Sequence, residues 1–286
     1  MLYVPNYGGY GLILHGPAAA RPSTTYGASV TPGNNTKGSY TQLISGASLT
    51  NDVYFIEVTI HANFVSTAAR ATILDIGYDP AGGTSYSVLI PDLLCSQACT
   101  GFAAREGATG FRYRFPLFIK SGTSLGAAAS VNNATVGTLR CYTKLFCKPK
   151  HPEACKVGSF VEAIGVAAST SQGTAVTPGT TSEGSWTSLG TTSKATWWHQ
   201  LGASVDNGVI AGNIAYFCDL SAGAAGGEQL LVDDAMLYTN SNIDAEAMPD
   251  QYSLQQEVVG GATIWGRMQC SGTADSGTTM MAYCLG

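Results

Sequence analysis

The sequence predicts an all-β protein made of two tandem antiparallel β-sandwich, jelly-roll-like modules arising from internal duplication. Three observations predict it. Residues 27–43 (GASVTPGNNTKGSYTQL) and 173–189 (GTAVTPGTTSEGSWTSL) align without a gap at an offset of 146, and nine of the seventeen positions are identical. Self-similarity over half a chain points to a repeated unit and sets the domain count. Short segments of period-two alternation recur along the chain, separated by Gly, Pro, Asn and Asp clusters, which is the pattern of sandwiches and jelly rolls. No amphipathic helix of ordinary length stands out, because Pro249 breaks the one candidate, 244–258. The 286 residues then divide into an N-terminal arm (1–9), a first module (10–146), a linker (147–158) and a second module (159–286). Each module is long enough to bury its own core.

In chain order, 10–15 is a short apolar run closed by Gly16-Pro17. The first copy of the repeat follows, with Thr31-Pro32-Gly33-Asn34-Asn35 as turn chemistry: Pro presets φ, while Gly and Asn tolerate positive φ. Residues 53–60 place Ile56, Val58 and Ile60 on one face and Glu57 and Thr59 on the other, a half-buried strand. Residues 72–78 set Leu74, Ile76 and Tyr78 opposite Asp75; 85–90 form a strand ended by Pro91; and 111–115 (FRYRF) alternate three aromatics with two arginines. Residues 119–130 and 137–146 flank Asn132-Asn133 and read as a hairpin, with Leu139, Cys141, Thr143 and Leu145 on one face. The segment 147–158 (CKPKHPEACKVG) interrupts the pattern. The second module replays the order through 160–167, 195–201, 213–220 and 229–237, closing with a hairpin of 262–270 and 278–285.

Charged residues are only 12% of the chain against 45% hydrophobic, about half the usual charged share. A surface made mainly of Thr, Ser, Gly and Ala suits a protein packed against neighbours. A formal net charge of −5 gives no basic footprint for nucleic acid. No apolar run is long enough to span a membrane, and the first residues lack the basic n-region of a secretory signal.

The candidate chemistry is thin. His15, His61, His151 and His199 fall in no HxxxH, HxH or HExxH spacing, and there is no Gly-x-Ser-x-Gly elbow or phosphate-binding glycine loop. The expectation is a non-enzymatic chain without cofactor or metal. Cys147, His151 and Cys155, spaced by four with Cys141 nearby, leave three readings: a zinc site of unusual spacing, a disulfide tying the linker to the first module, or a free surface segment. Cys95 and Cys99 sit in one loop, placed for a local bridge or for cross-links between subunits; buried free thiols are the competing reading for the cysteines. Trp197-Trp198 is the densest aromatic patch, and neighbouring strand residues face opposite ways, so one Trp belongs to the core and the other to a surface or interface. Arg112 and Arg114 are expected to pair with carboxylates on the outer face of their sheet or on a neighbour. Asp233-Asp234, with Asp219 and Glu228, lacks a calcium-loop rhythm and reads as a solvated turn.

Residues 73–94 (ILDIGYDPAGGTSYSVLIPDLL), 114–130 (RFPLFIKSGTSLGAAAS) and 137–146 (GTLRCYTKLF) resemble a group of tailed-bacteriophage virion structural proteins. In that group a "DIG…G-A-G…IP-L" element precedes an "FP…IP-x-G-T-x-(I/L)-x-A-R-x-Q" element and a closing strand. Residues 258–269 (VVGGATIWGRMQ) repeat the second element with Arg267 and Gln269 at its Arg and Gln, whereas the first module has Ala128 and Ser130 there. The resemblance implies a β-sandwich protein of the virion, assembled in the host bacterial cytoplasm. It would decorate or clamp the particle at the head surface, neck/collar or tail through contacts with other copies and other virion proteins. The alternative is a receptor- or carbohydrate-binding module of a fibre or baseplate.

Overall fold

The computed structural model describes residues 10–17, 27–63, 71–96, 111–131, 138–165, 173–205, 214–225, 228–240, 243–246, 256–272 and 278–286. The arm 1–9 and the Asn132-Asn133 turn lie outside them. Strands are the dominant regular structure of the described residues, with no α-helix among them and one 3-10 turn at Pro152–Ala154. No described helix is long and apolar enough to cross a membrane.

The first module contains ten strands: β1 (Tyr10–Gly16), β2 (Ala28–Val30), β3 (Gly33–Asn34), β4 (Thr41–Ile44), β5 (Val53–Asn63), β6 (Ala71–Asp79), β7 (Ser87–Ser96), β8 (Phe111–Phe115), β9 (Ser124–Val131) and β10 (Thr138–Pro149). Sheet I has the order β1-β10-β5-β8, with β2 also on β10, and sheet II the order β3-β9-β6-β7, with β4 also on β9. The second module contains β11 (Val161–Ile164), β12 (Thr174–Ala175), β13 (Thr187–Thr191), β14 (Trp198–Val205), β15 (Ile214–Ala222), β16 (Gln229–Asn240), β17 (Ile243–Glu246), β18 (Thr263–Cys270) and β19 (Thr278–Leu285). Sheet III joins β11, β12 and β14 to β19, and sheet IV runs β13-β18-β15-β16-β17. The order β1-β10-β5 thus recurs as β11-β19-β14, and β4-β9-β6-β7 as β13-β18-β15-β16. The short parallel pairing of β3 with β9 recurs as a bridge from Gly179 to Gln269. Among the described strands the sheet orders differ where β8 extends sheet I beside β5, whereas β17 extends sheet IV beside β16.

The alternation read from the sequence places the core. Ile56, Val58 and Ile60 are buried on β5, and Leu139, Cys141, Thr143 and Leu145 on β10. Glu57, expected on a solvated face, is also buried, because cations from two adjoining strands cover it. Two hairpins expected from local turns do not form. β9 pairs in sheet II and β10 in sheet I; likewise β18 pairs in sheet IV and β19 in sheet III. Each connection crosses the sandwich, so both strands become central and turn apolar residues toward one another, and β9 is buried throughout. Non-local burial outweighs the local turn.

β7 does not stop at Pro91. A bulge there puts Asp92 at φ 50° and shifts the register between Leu74 and Ile76, after which the strand continues. Its counterpart in β16 puts Asp234 at φ 48° opposite Asp219. The repeated Pro-Gly turn needs its glycines for space, not for positive φ: a Cβ on Gly33 would strike the Thr36 carbonyl, and one on Gly179 the Ser182 carbonyl. Asn35 does adopt φ 53°. The linker begins as the end of β10 and is then stitched down, with Gly158 N–H donating to Pro116 O (2.7 Å) and Ser159 N–H to Gly286 O (2.8 Å).

Candidate functional site

β7 and β8 are edge strands of sheets II and I on the same side of the first module. Unpaired backbone groups along such edges must find partners or water. Here side chains of the second module supply them. Leu94 N–H donates to the Tyr283 hydroxyl (2.6 Å), which in turn donates to Asp92 O (2.8 Å). Leu94 O accepts from the Tyr113 hydroxyl. On β8, Arg114 N–H donates to Gln200 Oε1 (2.9 Å), Arg114 O accepts from Trp198 Nε1 (3.0 Å), and Gln200 Nε2 reaches Arg112 O (3.5 Å). The Tyr283 ring meets Tyr113 and Phe115 edge-on at centroid distances of 5.2 and 6.4 Å. A Cβ on Gly202 would stand 2.9 Å from that ring, so the strand beside Tyr283 has to be bare. Sheet III is covered on one face by sheet IV and on the other by this seam, and the buried side chains of both modules form one continuous apolar cluster.

A second constellation occurs once in each module, at the bulges. Asp75 Oδ1 accepts from Asp92 N–H (2.8 Å), and Asp219 Oδ1 from Asp234 N–H (2.7 Å). In the first module the neutralising cation comes from the repeated turn: Lys37 Nζ lies 2.5 Å from Asp75 and 2.9 Å from Asp92. In the second, the equivalent turn position is Glu183, and the cation comes from the strand. Arg267 Nε donates to Asp219 Oδ2 (2.8 Å), its Nη1 meets Glu183 Oε2, and its guanidinium lies 4.2 Å from the centre of the Trp186 ring. Ala128 occupies the Arg267 position in the first module, so the cation has moved from the turn in the first module to the strand in the second. Carboxylate oxygens of Glu183, Asp219 and Asp234 fall within 4.8 Å of one another; the guanidinium is the cation among them. Burial first, then Asp219 and Asp233, push the Asp234 carboxyl up, against the pull of Arg267.

The residues singled out in the sequence separate accordingly. Trp197 is 8% exposed, and Lys156 Nζ sits 4.5 Å from its ring centre; Trp198 is half-buried with its indole N–H engaged. The interface that Trp198 serves lies within the chain. Arg112 and Arg114 share that seam through their backbones, while their side chains turn to Glu57, Arg114 Nε at 2.9 Å and Arg112 Nε at 3.9 Å. Lys144 Nζ is 2.8 Å from the same carboxylate. Asp233-Asp234, read as a solvated turn, is a bulge anchored on buried Asp219.

Cys141, Cys147 and Cys155 are free thiols, so the linker bridge is not formed. Cys141 and Cys147 lie six residues apart along β10, roughly 20 Å at strand rise, beyond both disulfide and zinc reach. The Cys147 thiol donates to Leu145 O (3.7 Å) and the Cys155 thiol to His151 O (3.4 Å), while the His151 ring faces Glu153. Burial pushes Cys141 up to about 12 and Cys147 to about 11. Cys95 is on β7, but its side chain and the whole of Cys99 lie outside the described residues. Tyr283, Gln200 and Tyr113 were missed in the sequence. The available signal was mismatch between the modules: Tyr283 and Gln200 stand where the first has Lys144 and Glu57.

No protein-family model and no curated protein matches the chain. Among solved structures, tripeptidyl peptidase 2 (TPP II) is similar at 10% identity and a TM-score of 0.25, over 96% of this chain and 23% of that one. A likeness at that level bears on neither fold nor activity.

Proposed function

We propose that the chain is a non-enzymatic structural protein of a tailed-phage virion, decorating or clamping the particle at the head surface, neck/collar or tail through contacts between subunits. The observation that carries this reading is the seam: Tyr283, Trp198 and Gln200 lock two sandwiches into one block with a continuous core. A rigid two-module block with few surface charges is a building unit, and its sequence resembles virion proteins. The described histidines take structural roles: His15 bonds Tyr142, His199 bonds Thr196, and His151 faces Glu153. The glycan-binding alternative draws no support from Trp197, which is buried with Lys156 over its ring, or from Trp198, whose indole N–H is engaged in the seam.

Antibody-gold labelling and quantitative mass spectrometry of purified particles of the encoding phage test the proposal. The expected result is label confined to head, collar or tail at a copy number matching a symmetric ring or lattice. Particles that lack the chain overturn it.

A further inference from the structure

Charge is divided unequally along the chain. Residues 10–146 hold nine Lys/Arg against six Asp/Glu, residues 147–158 three against one, and residues 159–286 two against twelve. The formal charges are +3, +2 and −10, and no Lys or Arg occurs between Lys194 and Arg267. The molecule is an electrical dipole whose halves are its modules.

The positive half has a flat face. On sheet I, Arg140, Tyr142 and Lys144 alternate with buried Leu139, Cys141, Thr143 and Leu145, so they occupy the outer face of β10. Arg114 and Arg112 stand on the same face, in register with Glu57 and Thr59 of β5. Glu57, 1% exposed, anchors Arg114 and Lys144 and lies near Arg112, whose side chain is 43% exposed. Arg112, Arg114, Arg140 and Lys144 thus share one face with Glu57. The equivalent face of sheet III, with Trp198, Gln200 and Tyr283 at the positions of Phe55, Glu57 and Lys144, is the one buried in the seam. One face of this architecture is therefore a docking surface in the second module and an open, basic surface in the first. The opposite charge is exposed on β16 of sheet IV, which carries Asp233 and Asp234 beside Met236, itself 45% exposed.

We infer that the outer face of sheet I seats the Asp233–Asp234 bulge of β16 from a second copy, so that copies associate head to tail. Such a contact is heterologous, and its rotation decides between a closed ring and a filament. Opposite charges steer the encounter, and like charges oppose head-to-head pairing. This deepens the assembly reading by naming the partner and the faces.

Sedimentation velocity of the full chain at low and high salt tests it. The expected result is concentration-dependent oligomers whose association constant falls about tenfold or more when salt shortens the screening length from about 10 Å to near 3 Å. Arg140→Glu and Asp233→Lys, both away from the core, each disperse the oligomer, and mixing the two variants restores mixed oligomers. Lys120→Glu, off this face, leaves association unchanged. A monomer under all conditions, oligomers indifferent to both reversals, equal weakening by Lys120→Glu, or no recovery on mixing each overturn the contact. Virion labelling of a chain that sediments as a monomer would keep the virion reading and discard this face.

Discussion

Replacing Tyr283 by Phe removes one oxygen from the seam and nothing else. The ring keeps its edge-on contacts with Tyr113 and Phe115, so no cavity opens. Two backbone groups lose their partner: Leu94 N–H, held at 2.6 Å, and Asp92 O, held at 2.8 Å. A hydrogen bond is worth about 1 kcal/mol net, and a buried group left unsatisfied costs about 1–3 kcal/mol. Leu94 is fully buried and bears that penalty, whereas Asp92 is partly exposed and its carbonyl regains water. The expected loss is about 2–4 kcal/mol, carried mostly by Leu94. Because the core is continuous across the seam, the loss should appear in the unfolding of both modules as one cooperative unit. For a unit of this size each kcal/mol lowers Tm by about 2–4 °C, so calorimetry should register a fall of roughly 4–16 °C, or a single transition splitting into two. Urea titration gives the free energy independently. A change below about 0.5 kcal/mol with one unaltered transition would refute the assignment of Tyr283 as the seam's keystone.

Three further outcomes follow from the same geometry. Lys37→Glu places a third carboxylate beside Asp75 and Asp92 and should cost about 2–3 kcal/mol, the buried-pair penalty discounted for partial exposure. Adding Ala128→Arg rebuilds the arrangement of Arg267, Asp219 and Glu183 and should recover about half or more of that loss in urea titrations; a double variant no more stable than the single one would sink the equivalence of the turn and strand cations. His199 is buried with Nε2 bonded to Thr196 and Nδ1 without a described partner, and burial lowers its pKa from 6.5 to about 4. Between those values the unfolded chain binds the extra proton, so the stability contributed by neutral His199 is complete above pH 6.5 and is lost as pH falls toward 4, on the order of 3 kcal/mol in all. His199→Gln should flatten that slope between pH 7 and 5, and an unchanged slope would assign the acid sensitivity elsewhere. Among the six described cysteines, maleimide at pH 8 should reach Cys155 first, since Cys141, Cys147, Cys218, Cys270 and Cys284 are buried; peptide mapping that finds one of those five modified at a comparable rate would contradict their burial.

The strands were legible because burial leaves a period-two trace. FRYRF became β8 with its stated bounds, and the faces of β5, β6 and β10 were read correctly on their apolar sides. The fate of Glu57 was not, since its cover comes from Arg114, fifty-seven residues away, and Lys144, eighty-seven away. The hairpins failed for a related reason: a turn sequence marks a change of direction but not the sheet to which the next strand belongs. Trp198 and Arg114 were marked for an interface without any sign that they meet each other.

The sequence by itself determined the β class, the period and faces of its strands, the repeat and the absence of familiar catalytic spacings, all of which depend on neighbours within a few residues. Only the tertiary structure decided which strands share a sheet, how the bulge carboxylates are neutralised from opposite sides in the two modules, and that Tyr283 closes the edge of β7. Those outcomes depend on backbone groups and charges brought together from distant parts of the chain, whose need for partners arises only once folding has removed them from water.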